Sequence, residues 1–261
     1  MEKWTSKNFY TLPSELINML NSEQRKQIES QVEAYEKKEK TGRIKIPLAG
    51  KEFELEVDPF VANPAIMNAG VKVVEYFGLK PEIVKSKIVT DMGTGSGMIG
   101  VASGLLGAQK IFMPDIDGHA VINARKNVEA LGLSDVCDVF KSDLFNNFGN
   151  RPKADVQVFN HPFFADAPIK DKEWTRIMLG GTDLIGKYFE QVHRFSTDNA
   201  VYIFPWLTLA DNKHDLDNNP AKRGLEYGFE VVNVIEQDLT GHGLQKGKCK
   251  IYELKLTRKV I

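Results

Sequence analysis

Hydrophobic positions change their period three times along the chain. Ile28, Val32 and Tyr35 recur at helical spacing, which predicts a helix capped by Ser22 and running to about Lys40, with a shorter helix capped by Ser14 before it. Ile44, Ile46 and Leu48, then Phe53, Leu55 and Val57, alternate instead on either side of Ala49-Gly50-Lys51, the pattern of a β-hairpin. Residues 1–60 therefore read as a small N-terminal helical and hairpin module.

From residue 61 to residue 261 strand and helix patterns alternate. Asn63-Pro64 reads as a cap and first-turn pair for a helix whose face carries Ile66, Val73, Val74 and Phe77. Strands are predicted at Ile88 to Met92, Lys110 to Met113, Asp135 to Phe140, Asp155 to Phe159, Ala200 to Phe204, Phe229 to Ile235 and Cys249 to Leu256. Helices are predicted near Gly97 to Leu106, His119 to Leu131, Asp183 to Phe195 and Ala221 to Tyr227. Helical spacers between strands imply right-handed crossovers, hence an α/β fold with a seven-stranded, mainly parallel sheet. The last two strands lack a long helix between them, so an antiparallel C-terminal strand is expected.

The strand containing Ile88 and Val89 runs into Asp91-Met92-Gly93-Thr94-Gly95-Ser96-Gly97 and then a helix. Glycines at the carboxyl edge of such a sheet let the backbone turn sharply and approach a ligand. Gly95-x-Gly97-x-x-Gly100 also fits a dinucleotide turn, so NAD stays open as a ligand. An acid at Asp91 would repel a pyrophosphate and suits an amino-bearing ligand such as S-adenosylmethionine (SAM). Two further strand ends carry acids. Asp115, beside Ile116 and 22 positions after Gly93, can accept both hydroxyls of an adenosine ribose, while Asp117 suits a helix cap. Asp143 can accept from an adenine amino group, with Leu144 among the apolar neighbours of the ring.

The fourth strand leads into Asn160-His161-Pro162-Phe163. This segment resembles the Asn/Asp-x-Pro-Tyr/Phe motif of SAM-dependent amino-group methyltransferases of Rossmann-like fold, in the "methyltransferase small domain" group. That group includes protein-glutamine and RNA guanine or adenine N-methyltransferases. The resemblance runs in order from about Val57 to Phe204, through the glycine turn, Asp115-Ile116-Asp117, Asn123, Asn127, Ser142 to Phe145 and the motif. It continues through Gly180-Gly181-x-Asp183-Leu184, which resembles the glutamine-methylating branch.

The resemblance implies SAM as cofactor, held by Asp91, Gly93, Thr94, Gly95, Gly97, Asp115, Ile116, Asp143, Leu144 and Asn160. It also implies transfer to a planar amide or amino nitrogen, protein glutamine ahead of an RNA base. The Asn160 side-chain oxygen and the His161 carbonyl would accept its N–H bonds and Phe163 would stack on the acceptor, with Pro162 between them in the motif. His161 stands where the glutamine and guanine branches usually carry proline, and its side chain is expected to turn away from the site. An NAD-dependent oxidoreductase leaves the Asn160 motif without a purpose, and a non-catalytic SAM-binding scaffold is the other alternative.

Composition narrows this picture. A net charge of -1 excludes bulk electrostatic coating of nucleic acid, so a protein or RNA substrate must be met locally. The basic residues after Gly241 offer one such surface, and the segment holding Trp174 is a candidate substrate lid. With two cysteines, Cys137 and Cys249, in no pairing or metal pattern, buried free thiols and a cytoplasmic location are expected. No membrane span and no structural metal are expected. Asp215-x-Asp217-x-Asn219 imitates a calcium loop, but Pro220 takes the place of its turning glycine.

Overall fold

The computed structural model describes residues 42–66, 68–163, 184–211, 218–239 and 247–257. The two N-terminal helices, the Trp174 segment, Gly180 to Asp183, and Asp215 with Asp217 lie outside the described residues.

The first element among the described residues is the antiparallel hairpin β1 (Gly42–Leu48) and β2 (Lys51–Val57). Helix α1 (Ala69–Leu79) leads to β3 (Ile88–Met92), α2 (Met98–Leu105), β4 (Lys110–Asp115), α3 (Gly118–Ala130), β5 (Cys137–Lys141) and β6 (Ala154–Phe159). Then come α4 (Leu184–Val192), β7 (Ser196–Leu207), α5 (Pro220–Glu226), β8 (Phe229–Asp238) and β9 (Lys248–Leu256). Seven strands form one sheet in the order β5-β4-β3-β6-β7-β9-β8. The pairs from β5 to β7 are parallel, and β9 runs antiparallel to both its neighbours, as expected for the C-terminal strand. It inserts between β7 and β8, leaving β8 on the edge.

Period-two alternation gives the sheet two chemically different faces. Val89, Ile111, Met113, Val139, Val156, Val158, Ile203 and Ile251 point to one core, under α1, α2, α3 and the hairpin. Phe112, Phe140, Phe159, Tyr202, Phe204, Trp206 and Tyr252 point to the other, which is largely aromatic and lies under α4. Cys137 and Cys249 are free and buried, and burial pushes both thiols up to about 12, so they are unreactive packing groups at neutral pH.

Several expected boundaries move. Asn63-Pro64 does not cap α1: the Asn63 side chain accepts from the Ala65 amide at 2.9 Å in a local turn, and α1 starts six residues after Asn63, at Ala69. An Asn-Pro pair does open a helix at Asn219-Pro220, where Asn219 accepts from the Ala221 and Lys222 amides ahead of α5. Strand β7 extends to Leu207 rather than Phe204, because β9 pairs with it through Leu207.

The hairpin shares the core of the main body: Ile46, Leu48, Phe53 and Leu55 pack in the same cluster as Val73, Val74 and Phe77 of α1. Two buried asparagines of α3 clamp its outgoing strand. Asn127 accepts from the Glu56 amide at 2.9 Å and donates to the Glu56 and Ser96 carbonyls, each at 2.8 Å. Asn123 donates to the same Glu56 carbonyl at 2.8 Å and accepts from the Asp58 amide at 3.1 Å. Hairpin, α3 and the glycine turn, which contributes Ser96, are thereby joined through one side chain. Asn127→Ala should lower the stability to urea by about 2–3 kcal/mol, since buried backbone groups lose partners that water replaces poorly. A loss below about 0.5 kcal/mol would show that the Asn127 bonds add nothing measurable to the hold of Asn123 and the apolar contacts on the hairpin.

Candidate functional site

The sheet reverses its winding between β3 and β6: the chain proceeds outward from β3 to β4 and β5, then returns to the other side of β3. Open α/β sheets bind ligands outside the carboxyl ends of strands at such a switch point. Met92 of β3 lies opposite Phe159 of β6 in parallel register, so the glycine turn and Asn160 leave the sheet side by side.

The turn is closed from within by Asp91. Its side chain is 1% exposed, and one carboxylate oxygen accepts from the Thr94 hydroxyl at 2.7 Å and the Gly100 amide at 2.9 Å. Burial pushes this carboxyl up to about 7, against the two donors, and the charge of Asp115 adds to the rise. Gly97 must remain glycine, because its φ is +87° and an added Cβ would lie 3.3 Å from the Ala124 backbone. Gly95 is different: an added Cβ would meet nothing within 4 Å, so its outer side is open.

Across from the turn, β4 ends in Asp115. Its two oxygens accept from the Gly95 and Asp117 amides, each at 2.9 Å, and burial raises its pKa against those donors. Ile116, the next residue, is 62% exposed, an apolar side chain presented at the strand end. Asp117 caps α3 through the His119 amide, as its position suggested. Beyond β5, Asp143 is exposed and Leu144 is buried in a left-handed conformation with φ +46°. Such a backbone costs about 1–3 kcal/mol for a side-chain-bearing residue and concentrates at ligand sites. Ser142 holds it, donating to the Leu144 carbonyl at 2.7 Å and accepting from the Asn147 amide at 3.0 Å.

The Asn160 side-chain oxygen is buried and has no hydrogen-bond partner among the described residues. Its amide nitrogen faces α1 at Gly70, where an added Cβ would lie 3.1 Å from it and 2.7 Å from the Met98 methyl. His161 turns inward, as expected. It is 1% exposed, its ring lies nearly parallel to Trp206 at 6.0 Å, and its Nε2 is 3.2 Å from the Asn218 carbonyl oxygen. Burial lowers its pKa to about 4, only partly offset by the Asn218 and Phe159 carbonyls, so the ring is neutral at neutral pH. Pro162 is half-buried. Phe163 is buried, with its ring edge-on to Trp206 at 5.7 Å and to His161 at 5.3 Å.

Two participants escaped the sequence reading. Gly70 carries no pattern signal, since a glycine inside α1 looks only like a weakened helix position. Asn218 was submerged in the calcium-like stretch, although Asn219-Pro220 beside it carries a helix-start signature.

Known proteins can now be compared with this geometry. Residues 74–176, which contain the glycine turn, Asp115, Asp143 and the Asn160 loop, match the family model of ribosomal protein L11 methyltransferase (PrmA). The ribosomal protein L11 methyltransferase of Thermoanaerobacter pseudethanolicus is 40% identical over 121 residues, 46% of this chain and 37% of that protein. The enzyme of the same name from Acinetobacter baumannii (strain SDF) is 40% identical over 114 residues, 42% of this chain and 36% of that protein. The matched stretch thus spans little more than a third of the length of these curated relatives.

Among solved structures, the Thermus thermophilus 16S rRNA N2 G1207 methyltransferase, in complex with AdoMet and guanosine, superposes with TM-score 0.56 at 18% identity. It covers 84% of this chain and 51% of that one. The tRNA m1G37 methyltransferase of M. jannaschii gives TM-score 0.56 at 16% identity over 84% of this chain and 58% of that one. At these identities the likeness is one of fold. No helix among the described residues is long and apolar enough to cross a membrane.

The protonation of Asp91 has a measurable consequence. Its folded-state pKa is raised from 3.8 to about 7, so the native state holds the proton where the unfolded chain has released it. The stability this contributes is complete below about pH 4 and is lost as pH rises toward about 7. In urea unfolding at pH 5 and pH 8, Asp91→Asn should lose less stability over that interval than the unsubstituted protein. Identical losses would show that Asp91 titrates normally.

Proposed function

We propose that the protein is a SAM-dependent N-methyltransferase acting on a planar nitrogen, with a side-chain amide of a protein, glutamine first, ahead of an RNA base. The observation that carries this reading is the buried, unpartnered side-chain oxygen of Asn160 beside the glycine turn. A carbonyl oxygen deprived of water and partner is strained by a missing donor, and an acceptor nitrogen bearing N–H supplies one.

The residues present fit SAM. Gly95 leaves open space at the turn, the Asp115 carboxylate suits the ribose hydroxyls, and exposed Ile116 with Leu144 suits the faces of an adenine. Bound there, SAM supplies an electrophilic methyl group on a sulfonium. Asn160 and the His161 carbonyl would orient the acceptor nitrogen toward that methyl and stabilise the positive charge that develops on it. No strong base is needed, since the nitrogen can attack while neutral and lose its proton afterwards. Phe163, packed on Trp206, would reach an acceptor only with its exposed remainder, so its contribution is to wall the site as much as to stack.

The protein acceptor is favoured by the match of residues 74–176 to enzymes named for a ribosomal protein, and by the near-neutral net charge. The same reading keeps residues 61–261 as the methyltransferase domain, the hairpin as part of its N-terminal module, and the cytoplasm as its location.

The test is methyl transfer from labelled SAM into fractionated protein and RNA, comparing the unsubstituted protein with Asn160→Ala. Label should enter protein, and the variant, measured with SAM at saturation, should turn over about 100- to 1,000-fold more slowly, a loss far larger than any change in its SAM affinity. Label entering RNA alone would move the acceptor to a base. Normal turnover by Asn160→Ala would exclude the amino-nitrogen reading.

A further inference from the structure

We propose that His161 and Asn218 form a clamp that fixes the Asn160–Phe163 loop, making both of them positioning residues for the acceptor nitrogen. This rests on the amino-nitrogen reading of Asn160 given above.

A histidine in that place is costly to bury. Its ring is surrounded by Phe159, Phe163, Phe204 and Trp206, all with ring centroids within 6.1 Å. A phenylalanine there would pack without the penalty of burying polar nitrogens, so the donor is the feature that needs a purpose. The neutral ring in its Nε2–H form donates to the Asn218 carbonyl, at 3.2 Å. In return the Asn218 side-chain amide reaches the Phe163 carbonyl at 3.5 Å, a long contact that gains from being dry. Two points of the loop, residues 161 and 163, are thereby tied to one residue that lies far along the chain.

Asn218 is itself immobilised. It is 1% exposed, and the residue after it caps α5 through two backbone amides. The loop is thus indexed to the start of α5 through Asn218 and to β7 through Trp206. Its stiffness comes from a tertiary bond where a proline at position 161 would have supplied it locally by fixing φ. Asn160 and the His161 carbonyl are neighbours in this loop, so the spacing of the two intended acceptor groups depends on the clamp. A misplacement of about 1 Å in such a pair can cost about 100-fold in rate.

The test compares His161→Phe, which keeps the ring packing and removes the donor, with His161→Gln, which keeps an N–H donor. Three readouts are taken on the full chain: SAM affinity, turnover, and hydrogen exchange of the peptide covering residues 158–163. His161→Phe should bind SAM within about twofold of normal, lose turnover by about 10- to 100-fold and exchange faster in that peptide. His161→Gln should recover part of both the turnover and the protection, and Asn218→Ala, which keeps the Asn219 cap and the carbonyl that accepts from His161 but removes the side-chain bond to Phe163, should show the same two losses to a smaller extent. Unchanged exchange and turnover in His161→Phe would overturn the clamp, and so would parallel loss of SAM affinity, which would mean general damage. If Asn160→Ala turned over normally the amino-nitrogen reading would fall, while the exchange result would still decide whether the clamp exists.

Discussion

The parallel register between β3 and β6 is the constraint on which the site depends. With Met92 opposite Phe159, the glycine turn and the Asn160 loop emerge next to each other, although 67 positions separate Gly93 from Asn160. A slip of one residue would turn Val156 and Val158 toward the aromatic side and Phe159 toward the aliphatic side, so the chemistry of both cores guards the register.

Around that register, polar groups are buried for a purpose. Asp91 ties the turn to α2, Asp115 ties it to β4, and Asn127 ties it to α3 and the hairpin. Each has hydrogen-bond donors or acceptors that offset part of its desolvation. In the Asn160 loop the Asn160 side-chain oxygen and the His161 Nδ1 are buried without a partner among the described residues. The support comes from the aromatic core, where the Phe145, Phe148, Phe159, Phe204 and Trp206 rings pack together with Tyr188 of α4. Pre-organised polar groups on a rigid, dry scaffold are what acceleration by orientation and electrostatics requires.

Much of this was legible in the chain. Buried parallel strands read clearly, Ile88–Met92 in full and the strand from Lys110 as far as Met113, two residues short of Asp115, because they are mainly apolar runs ending in acids or glycines, and local chemistry governs such ends. Asp117 as a cap was equally readable, for the same local reason. What was hidden depends on partners distant in sequence. The insertion of β9 between β7 and β8 is a choice of neighbour that no strand announces, and it also set the true length of β7. Asn63-Pro64 satisfied the helix-start rule but spent its side chain on a two-residue turn. The role of Asn218 arises only when α5 folds back on the Asn160 loop.

Calorimetric titration with SAM, and separately with NAD, tests the central claim that the crevice at the switch point is built for a methyl donor and not for a dinucleotide. The account predicts saturable binding of one SAM per chain and no heat of binding for NAD at the same concentrations. Binding of NAD in place of SAM would contradict it, as would a failure of the folded protein to bind SAM at all.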